Sequence, residues 1–356
     1  MTAGFSRFQL AMLGGIALAT IAAGVARYAS GVPTLLAFAF ATVALAGMAW
    51  IVSFSTEQVG QRFGPAVTGF MQSTLGNLPE FFVVLFALGS GQLVVAQTSI
   101  IGSILVNALL VLGLVLIAGA RKSEDGVMRF HPRLPNDTAT LLLVSTFIIV
   151  LIGLSNSAND PASHHIKAIS VIGSIALLGV YAAWVVPYLR GDAAAGEGHS
   201  SEGPRVPLAV SLGLLAIAGV ASAFVSDWFV KALEPTIKQL DISPAFAGLV
   251  IVAIAGNAVE NVTGIVLAHK GQADLAISVV KNSVAQIAAF LFPLLVLVSL
   301  AFSTSLTFAL APVYIGALFV TALVIWQITG DGEASAFEGW ALVGIFVILA
   351  TVAFFE

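Results

Sequence analysis

The 356 residues contain no cysteine, which excludes a disulfide framework, thiolate metal sites and cysteine nucleophiles. Charge is nearly as scarce, at 9% of residues against about 25% in an ordinary soluble domain. No basic block interrupts the chain and the net charge is −4, so nucleic acid is not an expected partner. Catalytic signatures are missing too. The histidines are His131, His164, His165, His199 and His269, all in loops or at helix ends. None forms a His-Glu-x-x-His helix motif, and no Gly-x-Ser-x-Gly elbow occurs. Neither an enzyme nor a cofactor is expected.

What remains is hydrophobic, at 59%. So few polar groups cannot cover a folded surface in water, and the chain belongs in a lipid bilayer. A spanning helix needs about 20 mostly apolar residues. Runs at 8–28, 33–54, 64–88, 92–119, 138–155, 166–189, 207–226, 243–268, 273–300, 309–328 and 337–355 meet that need. The expected fold is therefore an all-α polytopic membrane protein of eleven transmembrane helices. The first run is read as a retained helix, because so many follow it. With the N-terminus inside, Arg7, Arg62, Arg121, Lys122, Arg129, Arg133, Arg190, Arg205 and Lys270 fall in inner loops. Only Arg27, Lys167, Lys231 and Lys238 fall outside. The positive-inside rule then places the N-terminus in the cytoplasm and the C-terminus outside. Short tails suit a prokaryotic cell membrane. Nothing in the sequence sets an oligomeric state.

The chain repeats itself once. Gly76-Asn77-Leu78-Pro79-Glu80 recurs as Gly256-Asn257-Ala258-Val259-Glu260, 180 positions later. The same offset pairs Gly91-Gln92 with Gly271-Gln272, Ala96 with Ala276, Ser103 with Ser283 and Ala108 with Ala288. Five helices separate corresponding points, and an odd number inverts one copy in the membrane. Inverted repeats with discontinuous helices near the midplane characterise many secondary transporters. The expected domains are an extra helix at 1–30, a five-helix repeat at 31–190, a cytoplasmic linker at 191–206 and a second five-helix repeat at 207–356. The linker, rich in Gly, Ala and Ser, reads as a solvated tether or as a cation-sensing loop.

Glu80 and Glu260 sit deep in apolar spans, where an ionised carboxylate costs roughly 2.5–3.5 kcal/mol or more. Asn77 and Asn257 lie three residues before them, on the same helix face. Gly76 and Gly256 are natural break points, and Pro79 leaves the carbonyl of Leu75 without its helical donor. Freed carbonyls at membrane depth are tolerated where they line a cavity or bind something. Carboxylates, amides and carbonyls form an all-oxygen set, which suits a hard cation such as Ca2+. A structural kink holding a protonated glutamate is the bland alternative. Ser99, Ser103 and Asn107 share one face of the run at 92–119, and Ser278, Asn282 and Gln286 share one face of 273–300, with Gln97 nearby. Lys281 either snorkels or pairs with Glu80 or Glu260. In the second case the site carries less negative charge and Na+ fits better.

These motifs resemble the two α-repeats of the calcium/cation antiporter superfamily, and most closely its Ca2+/H+ exchanger branch. The likeness covers Gly76 to Gly113, including Gln97-Thr98-Ser99-Ile100-Ile101-Gly102-Ser103, and Gly256 to Leu297, including Ser283-Val284-Ala285-Gln286 and Pro293. It implies an extra first helix before a five-plus-five core. It also implies a cation and proton site of Glu80 and Glu260 with Asn77, Asn257, Ser103, Ser283 and Gln286. Pro79, Asn261 and Lys281-Asn282 depart from the exchanger pattern. The resemblance implies secondary active antiport, Ca2+ for H+, in which cation and protons compete for the same carboxylates. Na+/H+ and Na+/Ca2+ exchange are the neighbouring alternatives, and a cation channel is the alternative of another class.

Overall fold

The computed structural model describes residues 4–62, 71, 74–194 and 205–356. The expected span at 64–88 and linker at 191–206 lie partly outside these residues, and His199 lies wholly outside. Within them the chain is nearly all helix: α1 (Arg7–Tyr28), α2 (Thr34–Gly60), α3 (Leu78–Gly89), α4 (Leu93–Lys122), α5 (Arg133–Ser157), α6 (Ile166–Ala194), α7 (Leu208–Leu240), α8 (Pro244–Gly256), α9 (Ala258–His269), α10 (Ala273–Ala301), α11 (Pro312–Thr329) and α12 (Ala336–Phe354). Nine described helices are long and apolar enough to cross a membrane. The pair α8 and α9, bent by 62°, supplies a tenth span, and α3 is a shorter apolar helix.

Two boundaries move for physical reasons. The span expected at 207–226 continues to Leu240. Its polar end is stabilised along one side by Lys231 on Asp227 at 2.9 Å and Lys238 on Glu234 at 2.8 Å, both pairs one helical turn apart. The span expected from 309 starts at Pro312, because 302–311 is a loop that buries Leu306, Phe308 and Leu310. Leu306 and Phe308 in that loop are 1% and 0% exposed. Its backbone is satisfied by side chains, with Leu306 N–H donating to Ser299 Oγ at 2.8 Å and Phe308 N–H to Ser170 Oγ at 3.2 Å.

The contacts group into two compact units. Met1–Phe86 with Ala182–Asp241 holds α1, α2, most of α3 and α7. In it α2 and α7 run antiparallel. Phe38 meets Phe229 at 5.2 Å, and at the other end Gln58 accepts from the N–H groups of Arg205 and Val206 at 3.0 and 3.2 Å. Ala87–Tyr181 with Ile242–Glu356 holds the rest. Here glycines let backbones touch, as small residues do between membrane helices. A side chain on Gly102 of α4 would strike the backbone of Leu249 in α8. Gly113 and Gly339 face each other in the same way between α4 and α12. Two three-residue strands, β1 (Val127–Arg129) and β2 (Glu333–Ser335), pair antiparallel between loops.

Both Gly-Asn-x-x-Glu segments break a helix at the asparagine. Twelve helical residues follow each break, Leu78–Gly89 and Ala258–His269. Two residues after each run stands a glycine with positive φ, Gly91 at +75° and Gly271 at +78°, the left-handed region that only glycine enters freely. The next helix then starts behind Gln92 or Gln272, whose dihedrals agree within a few degrees (φ −89, ψ 63 and φ −91, ψ 67).

Candidate cation site

In the second unit the break between α8 and α9 gathers a buried polar chain. Asn257 caps the end of α8 by donating its side-chain amide to the carbonyl of Ala253 at 2.9 Å. The same amide donates to Ser103 Oγ on α4, also at 2.9 Å. Asn107, one turn along α4, donates to Asn257 Oδ1 at 3.0 Å and to Ser283 Oγ on α10 at 3.2 Å. Ser283 in turn donates to Glu260 Oε2 at 2.5 Å. Three membrane elements are thus tied to one carboxylate. Ser103, Asn107, Asn257 and Ser283 are each no more than 2% exposed, and Glu260 is half-buried. Buried polar groups are kept only when they are satisfied or have a ligand to meet. Asn107 Oδ1 has no hydrogen-bond partner among the described residues. Among those residues no three of His, Asp and Glu gather.

Asn107 takes its place through a helix irregularity. Val106–Val111 is a π turn inside α4, and Ile287–Leu291 is another inside α10. Such bulges rephase the side chains that follow them and recur at functional sites. The sequence marked Asn107 only as one of a polar stripe. Its spacing of four from Ser103 was the available signal, and the π turn was not legible.

The other expected residues differ in what they touch. Ser99 donates to its own helix at Ala96 O, and Ser278 to Asp274 O. Gln97 donates to Ala309 O at 3.3 Å, in the loop before α11. Gln286 is 3% exposed and hydrogen-bonds Tyr181 of α6, a partner the sequence did not suggest. Asn282 Oδ1 is buried without a partner among the described residues. Lys281 is 1% exposed and donates to Thr329 Oγ1 of α11 at 3.2 Å. Two residues on a helix lie about 200° apart, so Lys281 and Ser283 leave α10 in opposite directions. Among the described residues Lys281 makes no ion pair.

In the first unit, Asn77 and Glu80 are 2% and 5% exposed. The carbonyl of Pro79, between them, accepts from Ser226 of α7 at 3.4 Å. The break at Asn77 therefore faces a hydroxyl on its own unit's long helix.

Known proteins share this plan. The sodium/calcium exchanger protein family matches residues 33–188 and 210–355. The vacuolar calcium ion transporter of Schizosaccharomyces pombe is 32% identical over 323 residues, covering 88% of this chain and 77% of that one. The Ca2+/H+ antiporter ChaA of Bacillus subtilis is 30% identical over 330 residues, covering 91% and 93%. The solved structure of native YfkE superposes with a TM-score of 0.78 at 26% identity, covering 98% of this chain and all of that one. The crystal structure of the H+/Ca2+ exchanger CAX gives 0.79 at 14%, covering 98% and 92%, a likeness of fold. Two broken helices carrying Gly-Asn-x-x-Glu, and a family match running through both, mean that the chain belongs to the sodium/calcium exchanger protein family.

Proposed function

We propose that this chain is a secondary active antiporter that exchanges Ca2+ for H+, with Glu80 and Glu260 as the groups that bind cation and protons in turn. The observation that carries the reading is the buried chain from Ser103 through Asn257, Asn107 and Ser283 to Glu260 Oε2. It holds a carboxylate among neutral oxygens inside a membrane protein. There a bare negative charge is costly and a bound proton or cation relieves the cost. Ca2+ favours the ionised carboxylates, so it displaces protons, and two protons leaving balance one Ca2+. An empty, charged site crosses the bilayer interior at a penalty. Loaded states therefore cross preferentially, and alternating access turns competition into antiport. The only bonds made and broken in this cycle are the O–H bonds of the two carboxyls, whose protons pass to and from water.

Asn77, Asn257, Ser103, Ser283 and Gln286 complete the oxygen set. The matching breaks, turn glycines and glutamine starts at 76–92 and 256–272 support two inverted copies of one five-helix plan. The count of basic residues supports a cytoplasmic N-terminus, and a prokaryotic cell membrane is the proposed location.

The test is uptake of labelled Ca2+ and Na+ into proteoliposomes under an imposed pH gradient. Wild type is expected to accumulate Ca2+ on the acidic side. E80Q and E260Q, purified as folded protein, are expected to lose at least about a hundredfold in rate. That loss equals some 2.7 kcal/mol at 1.36 kcal/mol per decade. Exchange retained by both variants, Na+ as the preferred cargo, or a unitary conductance in bilayers would each overturn the reading.

A further inference from the structure

A recess where α1, α2 and α7 meet within the first unit plays no part in the exchange cycle. It encloses about 170 Å³. Its floor is small and apolar, with Ala23 of α1 and Ala37 and Ala41 of α2. Its rim is basic. Arg27, in the last turn of α1, and Lys231 of α7 both line it, beside the ring of Trp228. The Arg27 guanidinium lies 5.4 Å from the centre of the Tyr28 ring, and that ring stands edge-on to Trp228 at 6.4 Å. Trp and Tyr gather where lipid headgroups begin, so the two bases stand at headgroup level with the alanines below them, at acyl-chain depth. Lys231 is paired with Asp227 at 2.9 Å, while Arg27 has no ion pair among the described residues. The three charges sum to one positive. Only Ile16 and Ala23 of α1 are buried, so this helix leaves most of its surface to lipid.

We propose that this recess binds the phosphodiester headgroup of an anionic phospholipid, with an acyl chain lying over the alanines. A phosphodiester carries one negative charge, which matches the sum at the rim. The Arg27 fork fits two phosphate oxygens, and Lys231 adds a point charge. A zwitterionic headgroup brings its own ammonium toward these bases and is disfavoured. Basic pockets between membrane helices select anionic lipids on these grounds.

The experiment is native mass spectrometry of the full-length purified protein after equilibration with mixed phosphatidylglycerol and phosphatidylcholine. A parallel melting curve is taken with each lipid and with inorganic phosphate. Wild type is expected to retain phosphatidylglycerol preferentially and to melt higher with it. R27Q/K231Q is expected to lose that preference by about tenfold or more while still exchanging Ca2+ in phosphatidylcholine liposomes. R27Q alone, which leaves the Lys231–Asp227 pair intact, gives the same reading if the double variant is unstable, and R27K, which keeps the charge but not the fork, is expected to restore only part of the preference. Equal retention of both lipids, an undiminished preference in R27Q, or equal protection by inorganic phosphate would overturn the assignment. Loss of Ca2+ exchange by E80Q or E260Q is read separately and leaves it untouched.

Discussion

The two segments at 76–111 and 256–291 trace one backbone path and fill it with different chemistry. Asparagine breaks, twelve-residue helices, left-handed glycines and π turns recur in both at the 180-residue offset. Where the first segment has Pro79, Ile101, Gly102 and Asn107, the second has Val259, Lys281, Asn282 and Ile287. The shared features shape the main chain, and the divergent ones are side chains that meet different neighbours. The same main-chain plan is thus kept in both segments while their side chains differ. Asn107 is the linker of the polar chain in the first copy, whereas its counterpart Ile287 is a fully buried apolar side chain.

Exchanging the middle pair between copies should break the symmetry most strongly. Gly102 lies where any side chain strikes the backbone of Leu249, and backbone cannot step aside as a flexible side chain does. G102N is therefore expected to cost roughly 3 kcal/mol or more, at or above the usual range for overpacking. The measure is the melting temperature and the yield of monodisperse protein. The reverse change at the neighbouring position of the second copy should be mild. K281I removes an amine buried to 1% exposure whose hydrogen bond is to a neutral hydroxyl. Thr329 keeps its own bond to Ile325 O at 2.6 Å, so nothing is orphaned. Replacing buried charge by apolar bulk is often neutral or stabilising. An equal melting loss in both variants would show that the two positions are under the same constraint after all.

N107I, which writes the second copy's residue into the first, is expected to act at the site. It strips Asn257 Oδ1 and Ser283 Oγ of their shared donor, at about 1–3 kcal/mol for groups left unsatisfied. Ser283 then loses the partner that orients it toward Glu260. The expected result is a tenfold or greater rise in the Ca2+ concentration for half-maximal exchange, with maximal rate less affected. A loss of stability with no change in Ca2+ dependence would make Asn107 a structural strut only.

Much of this plan was legible because its signals are strong and local. A 20-residue apolar run has few alternatives to a membrane helix. A costly buried glutamate beside a helix-breaking asparagine is conspicuous in such a run, and its recurrence at a fixed offset more so. The partners were harder to read. Ser99 and Ser103 look alike on a helical wheel, yet Ser99 turns to its own backbone and Ser103 receives Asn257, because only a neighbouring helix decides which hydroxyl is recruited. Gln97 donates its side-chain amide to a loop carbonyl, a contact that its place in the stripe does not reveal. The ends of α7 and α11 are not marked by their apolar runs: α7 continues through a polar stretch until Asp241 enters the left-handed region, and a loop with buried apolar side chains precedes α11.

The smallest effect is expected where the copies give way to their loops. After the second copy the chain stays buried, with Phe308 at 0% exposure against Phe292 at 4.8 Å. After the first it surfaces in β1, where Arg129 pairs with Asp125 at 2.6 Å and Glu333 at 3.5 Å. The hydrogen bond from Arg129 holds the Asp125 carboxyl below its ordinary range, so any stabilisation is present near neutral pH and fades as pH falls through that lowered value. All three side chains are about half exposed or more, and water and salt screen such pairs until they contribute next to nothing. The strand pairing itself is made by backbone groups. R129A should therefore leave both the melting temperature and Ca2+ exchange unchanged from neutral to mildly acid pH. A clear loss of either would mean that this loop does more than close a turn, and that the polar exit of the first copy is as constrained as the buried exit of the second.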